Sequence, residues 1–191
     1  SSDLESGKWI WTETSGLIDS VHNYRTGALN GKTIYYKDGE IRIKKEYAGG
    51  KLNGKFIEYY SKGKPKVVGS YLEDLPHGKW LWRGESNSKE RLIHFRKGIK
   101  HGGVKVWNNG FLKMSGEYNN DKKTGMWRWY QSKKQLDSLV TYSNGVLNGK
   151  FKTWHNNGEK AIVGSFIQGN PNDEWQWWSE DKNMDSLKTF R

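Results

Sequence analysis

Apolar and polar positions alternate along this chain in short runs. Gly7-Lys8-Trp9-Ile10-Trp11, Gly78-Lys79-Trp80-Leu81-Trp82 and Gly125-Met126-Trp127-Arg128-Trp129 each set large rings at alternate positions. That is the period-2 mark of a strand with one buried face. No window carries an apolar stripe at the helical period of about 3.6 residues, so no helix is predicted. Asp38-Gly39, Lys62-Gly63, Asn109-Gly110 and Asn157-Gly158 close the ring-bearing runs, with Gly or Asn supplying positive φ for a hairpin turn. A second strand follows, then a second turn.

The pattern repeats. Strand openings at Gly7, Gly31, Gly54, Gly78, Gly102, Gly125, Gly149 and Asp173 are spaced 24, 23, 24, 24, 23, 24 and 24 residues apart. A landmark aromatic follows each opening by 16 or 17 residues: Tyr24, Tyr47, Tyr71, Phe95, Tyr118, Tyr142, Phe166 and Phe190. The two 23-residue copies lose their residue in the first turn, at Gly39 and Gly110. Between copies, the turn is expected to begin at Gly27, Gly50, Asp74, Gly98, Lys122, Gly145 or Gly169. It ends on Asn30, Asn53, His77, His101, Thr124, Asn148 or Asn172, residues suited to left-handed backbone. One hairpin is marginal alone, so stacked copies must bury each other's rings. The fold predicted is all-β: an elongated, single-layer β-hairpin solenoid forming one repeat domain over residues 1–191. Its sixteen strands would span roughly 75–80 Å.

A charge pattern runs with the period. Five residues before the landmark, Asp19, Glu90, Asp137 and Asp185 alternate with Arg42, Lys66, Lys113 and Ala161. If equivalent positions stack, Asp19–Arg42 and Lys66–Glu90–Lys113–Asp137 are expected to pair, each contact contributing roughly 0.2–1 kcal/mol.

Composition sharpens this picture. The hydrophobic fraction is 34%, yet the chain holds 11 Trp, 10 Tyr and 6 Phe, so its core must be built from rings. A net charge of +11 raises anionic partners, but the basic residues are spread without a terminal run. Zero Cys excludes disulfides and thiolate metal sites and fits reducing and oxidising compartments alike. Export to the periplasm or cell surface is preferred to the cytoplasm as the location. No stretch is apolar enough for a membrane-spanning helix. Ser1 reads as a boundary or a processed end, which leaves targeting undetermined.

Gly31-Lys32-Thr33-Ile34-Tyr35-Tyr36-Lys37-Asp38-Gly39, Gly54-Lys55-Phe56-Ile57-Glu58-Tyr59-Tyr60-Ser61-Lys62-Gly63 and the junction Gly145-Val146-Leu147-Asn148-Gly149-Lys150 resemble MORN repeats, in their bacterial variant. The resemblance covers Gly7 to Phe190. It departs at Trp82-Arg83-Gly84-Glu85, Trp177-Trp178-Ser179-Glu180 and Asp173. It implies a protein–protein scaffold; some relatives are proposed to meet acidic lipid, and some bacterial ones carry an antitoxin label.

Chemistry finds little purchase. Gly31-Lys32-Thr33 imitates the end of a P-loop, but the upstream Gly27 is one residue too close and a strand follows. His77 and His101 fall in turn registers, His22 and His94 in unlike ones, and His155 after Trp154, so no metal set converges. Everything salient recurs in every copy, whereas a catalytic site is singular. The expectation is no enzyme, no cofactor and no small-molecule substrate. The rings at the second and fourth places after the opening (Trp9 and Trp11, Trp80 and Trp82, Trp127 and Trp129, Trp175 and Trp177) are assigned to the core. Those at the fifth place, Tyr36, Tyr59, Trp107, Tyr130, Trp154 and Trp178, alternate to the other face. With nearby Lys and Arg they are the candidate binding residues, for another protein first. An anionic or glycan surface (cell-wall polymer, acidic lipid or nucleic acid) is the alternative partner.

Overall fold

The computed structural model describes residues 4–191. Among the described residues seventeen strands form one antiparallel sheet, open and not closed into a barrel. There is no α-helix among the described residues, only a 3-10 turn over Ser61–Gly63. The strands are β1 (Gly7–Thr12), β2 (Ile18–Arg25), β3 (Ala28–Leu29), β4 (Gly31–Lys37), β5 (Glu40–Ala48), β6 (Lys51–Tyr59), β7 (Pro65–Leu72), β8 (Leu75–Arg83), β9 (Lys89–Arg96), β10 (Ile99–Asn108), β11 (Phe111–Asn119), β12 (Lys122–Tyr130), β13 (Leu136–Ser143), β14 (Val146–Trp154), β15 (Lys160–Ile167), β16 (Asn170–Trp178) and β17 (Met184–Phe190). Sixteen strands become seventeen because one breaks at Asn30 into β3 and β4. The chain divides into two compact units. The first runs to Glu90 and adds His94–Ile99; the second holds Arg91–Ile93 and Lys100–Arg191.

Turns between repeats are two residues long. Thr26-Gly27, Gly49-Gly50, Glu73-Asp74, Lys97-Gly98, Asn120-Asp121, Asn144-Gly145 and Gln168-Gly169 all have positive φ at both positions. This is the turn whose twist suits a tight hairpin. The turn in the fifth repeat therefore centres on Asp121, and Lys122 already belongs to β12. The Asn and His residues expected to end these turns lie instead within or between strands and have ordinary φ. The side chains of Asn30, His77 and Asn148 accept N–H groups from the next turn: Gly49 N–H to Asn30 at 3.3 Å, Lys97 N–H to His77 Nδ1 at 3.4 Å, Gln168 N–H to Asn148 at 3.1 Å. Backbone bonds tie the same turns together, as from Gly98 N–H to Pro76 at 2.7 Å and Gly169 N–H to Leu147 at 2.8 Å.

The opening residue of every repeat also has positive φ, from Gly125 (63°) to Gly54 (119°), and Asp173 shares it at 59°. Here the ladder skips: Val68 pairs Leu81 and Ser70 pairs His77, so Gly69 alone faces the three residues from Gly78 to Trp80. Asp173 is tolerated because a short polar side chain accepts left-handed backbone better than most.

A second irregularity falls within the hairpins. Trp11 pairs Ser20 while Thr12 pairs Ile18, which leaves Asp19 unmatched. The same skip leaves out Arg42, Lys66, Lys113, Asp137, Ala161 and Asp185. The alternating-charge position is thus the extra residue of a recurrent β-bulge. The expected acid–base stack does not form, because a bulged residue leaves the ladder that would align it with its neighbours. Arg42 pairs Glu40 at 3.4 Å and Lys66 pairs Glu58 at 2.6 Å. Lys113 Nζ donates to the Tyr130 carbonyl at 3.2 Å, while Asp19 and Asp137 accept their neighbouring serine hydroxyls at 3.0 Å.

Burial centres on one lock, built three times. The indole of Trp80 lies over Gly69, that of Trp127 over Gly116 and that of Trp175 over Gly164. A Cβ on any of these glycines would come within 2.3 Å of the ring. Each indole N–H donates to the carbonyl one residue beyond its glycine, at Ser70, Glu117 and Ser165, over 3.1 to 3.2 Å. The landmark ring that follows stands edge-on to the indole, with centroids at 5.1 Å for Tyr71, 5.1 Å for Tyr118 and 5.0 Å for Phe166. Three of the other four repeat junctions fill the same two register positions with complementary sizes, Val140 with Phe151, Ile93 with Val104 and His22 with Thr33, while the fourth sets Lys45 opposite Phe56. Val140, Ile93, Val104 and Thr33 are all buried. The landmark rings themselves, and Trp82, Trp129 and Trp177, are half-buried and not core. A single sheet leaves their outer edges open.

Candidate binding face

Opposite the tryptophan locks, the ladder aligns one residue from each strand into a row. In the first compact unit that row is Ile10, Val21, Ile34, Lys44, Ile57, Val68 and Leu81, each paired with the next. Six of the seven are apolar, in a chain of mean hydropathy −0.97. Lysines stand two residues before each first-strand member of the row, at Lys8, Lys32, Lys55 and Lys79, and all four are exposed. This face therefore sets an apolar stripe beside a line of positive charge.

Two of the fifth-place rings join it. Tyr36 and Tyr59 border a shallow depression together with Lys44 and Lys62. Tyr59 also borders an adjoining cleft of about 410 Å³, lined in part by Lys32, Ile34, Lys44, Lys55 and Ile57. Lys44 Nζ lies 5.5 Å from the centre of the Tyr59 ring, within cation–π range. Glu46 is the acid here, and its carboxylate accepts the Lys55 backbone N–H at 2.8 Å.

The other four fifth-place rings lie in the second compact unit and do not converge on this cleft. Trp178 borders a smaller pocket of about 200 Å³ with Lys160, Glu159 and Lys182. Lys160 Nζ sits 5.7 Å from the Trp178 ring, and Lys182 pairs Glu159 at 3.1 Å. Trp107, Tyr130 and Trp154 are half-buried like Tyr36, Tyr59 and Trp178. In this unit the outer row reads Lys105, Ser115, Arg128, Leu139, Lys152, Val163, Gln176 and Leu187. The same register thus carries mainly apolar residues in one unit and polar or basic ones at five of eight places in the other.

The stripe was missed by reasoning on aromatics alone. Its signal was present: the third place after the opening is Ile10, Ile34, Ile57 and Leu81 in the first four repeats, and Lys105, Arg128, Lys152 and Gln176 in the rest.

The histidines are dispersed. The His22 ring stands 4.4 Å from Trp11 and 5.4 Å from Tyr35, and burial holds its pKa below the usual imidazole value against the opposing pull of Asp19. His155 donates its Nε2–H to the Trp178 carbonyl at 2.7 Å. Burial raises the phenol pKa of Tyr71 and Tyr142, and that of Tyr47 with help from Tyr35. The hydrogen bond to Glu58 raises that of Lys66. No family model and no curated protein matches this chain.

Proposed function

We propose that this chain is a non-enzymatic scaffold, like the MORN repeats it resembles, which binds another protein through the outer face of its first compact unit. The apolar row from Ile10 to Leu81 carries the reading. Apolar side chains aligned on a sheet face and rimmed by charge are the ordinary composition of a protein-binding patch. Lys8, Lys32, Lys55 and Lys79 beside the row favour a partner with an apolar stripe flanked by acidic residues. Tyr36 and Tyr59 supply rigid rings at its margin, the residue type that dominates interface energetics.

A photo-activated cross-linker placed at Ile34 or Ile57 tests this in the native source. A discrete polypeptide adduct is expected, lost when Lys32 and Lys55 are both changed to Glu. Absence of any polypeptide adduct at both positions would overturn the reading.

A second reading has its own observation: Lys105, Arg128 and Lys152 on the outer row of the second compact unit suit an anionic polymer. Salt separates the two. Polyanion binding falls steeply and log-linearly with ionic strength, whereas docking on the apolar row is expected to persist at high salt.

A further inference from the structure

On the outer face of the second compact unit, successive repeats present the same pair of groups. Each first strand carries a ring at its fifth place, Trp107, Tyr130, Trp154 or Trp178. In three of the four a cation stands two residues earlier, at Lys105, Arg128 and Lys152. Residues two apart on a strand share a face, so each of those rings lies beside its own cation. Between the rings the ladder sets long chains: Leu112 faces Trp107, Leu136 faces Tyr130, Lys160 faces Trp154 and Met184 faces Trp178. The rings, Arg128 and Lys152 are half-buried, while Lys105 and Lys160 are exposed.

The spacing follows from the sheet. One ring and the next are two strands apart, about 9–10 Å. The cations keep the same step, because they occupy one register of the same strands. Lys160 adds a further positive charge, its ammonium 5.7 Å from the Trp178 ring. Nearby acids are engaged or set aside. Glu159 pairs Lys182 at 3.1 Å, Glu174 accepts the Gln176 amide and Asp137 accepts the Ser138 hydroxyl. Glu117 stands opposite Gly103, outside the two rows. The first compact unit lacks the pairing of ring and cation, since Ile10, Ile34, Ile57 and Leu81 fill the cation place there.

A matching ligand offers a flat apolar surface with an anion beside it, once in every step of the sheet. We propose that this face binds an extended, β-linked anionic polysaccharide with one acidic group per disaccharide, one disaccharide lying on each repeat. The stretched disaccharide of such a chain is close to one repeat step in length, so successive units meet successive rings without strain. The polysaccharide runs across the strands. The C–H face of a sugar lies against the electron-rich face of each aromatic ring, and the acidic group meets the neighbouring Lys or Arg in a charge-assisted hydrogen bond. A single-stranded nucleic acid matches less well. Its phosphates fall about 3.4 Å apart along a stacked strand, several charges where this face offers one. The proposal rests on the second reading given under the proposed function and names its ligand class.

The test uses the full chain and fluorescein-labelled hyaluronan oligosaccharides, read by anisotropy at low ionic strength. A tetrasaccharide covers two pairs of ring and cation and a hexasaccharide three, so the hexasaccharide should bind at least about tenfold more tightly. Reducing its carboxylates to alcohols should weaken it by at least about tenfold, as should Lys105→Gln combined with Lys152→Gln in the protein. Lys100→Gln combined with Lys188→Gln removes as much charge from the opposite face, where these ammonium groups lie over Tyr118 and Phe190, and should leave binding unchanged. Trp154→Ala should also abolish tight binding. Should it loosen the unit, the two charge variants make the same distinction. Equal affinity for the two lengths, or equal losses from the two charge variants, would overturn the proposal. Binding of an oligothymidylate or of phosphatidylserine vesicles in place of the oligosaccharides would overturn it and leave the second reading standing. Binding of none of the three would remove that reading as well.

Discussion

Glycine at 69, 116 and 164 is dictated by the indole each one faces, and the dictate is about size. Where the ring is tryptophan the opposing residue is glycine; where it is Phe151 the opposing residue is Val140. Gly116→Val should therefore overpack Trp127 and cost about 1–3 kcal/mol. Trp127→Phe in the same chain recreates the Val140–Phe151 pair and should recover much of that loss. Urea unfolding of the two single variants and the double variant gives the coupling, and simple additivity would refute the size rule. His22 makes a second residue-scale case. Burial lowers its folded pKa, so between the folded and unfolded values the unfolded chain binds more protons. Stability is then complete above the unfolded value of 6.5 and declines as pH falls below it towards the depressed folded value. His22→Phe keeps a ring against Trp11 and cannot titrate. Its melting temperature should drop less than that of the parent between about pH 7.5 and about pH 5, and equal drops would place the titration elsewhere.

At the scale of the element, each hairpin carries one irregularity in each strand, the opening residue in the first and the bulge residue in the second. These are the two places where the ladder skips. The opening residue of the last repeat is the only one of the eight that is not glycine, and Asp173→Gly should be neutral or stabilising by up to about 1 kcal/mol. Destabilisation in urea would show that the Asp173 carboxylate, 3.5 Å from the Ser165 hydroxyl, holds the skip in place. Strand period and repeat length were legible in the sequence because each is local, in alternation and in spacing. The turns between repeats were located but misphased: Gly27, Gly50 and Gly98 were expected to open them and instead close a two-residue turn. The ion pairs were not legible, because a one-residue bulge leaves no mark in composition and yet removes Asp19, Lys66 and Asp137 from alignment. The role of Asn30, His77 and Asn148 was also hidden. Their acceptors serve a turn about 20 residues away, and only the stacking of successive turns brings that turn near. Tyr36 and Tyr59 could be assigned to the outer face from alternation, but not their meeting across Lys44.

At the scale of the whole molecule, nearly every stabilising contact described joins a repeat to itself or to the next one. The Trp175 lock involves β15, β16 and β17, through Gly164, Phe166 and Phe190. Nothing in it reaches the strands from β4 to β7. A chain assembled this way has a stability that is a sum of neighbour terms, and damage should spread only as far as those terms carry it. Gly164→Val offers a clean perturbation, since the added side chain collides with a buried ring and leaves charge and turns unaltered. Hydrogen exchange should show amides of β14 to β17 losing protection while those of β4 to β7 keep theirs. Uniform loss along the chain would mean that the two compact units unfold as one cooperative body. In that case the apolar row of the first unit could not be altered without loosening the second, and its binding would have to be tested in variants matched for stability.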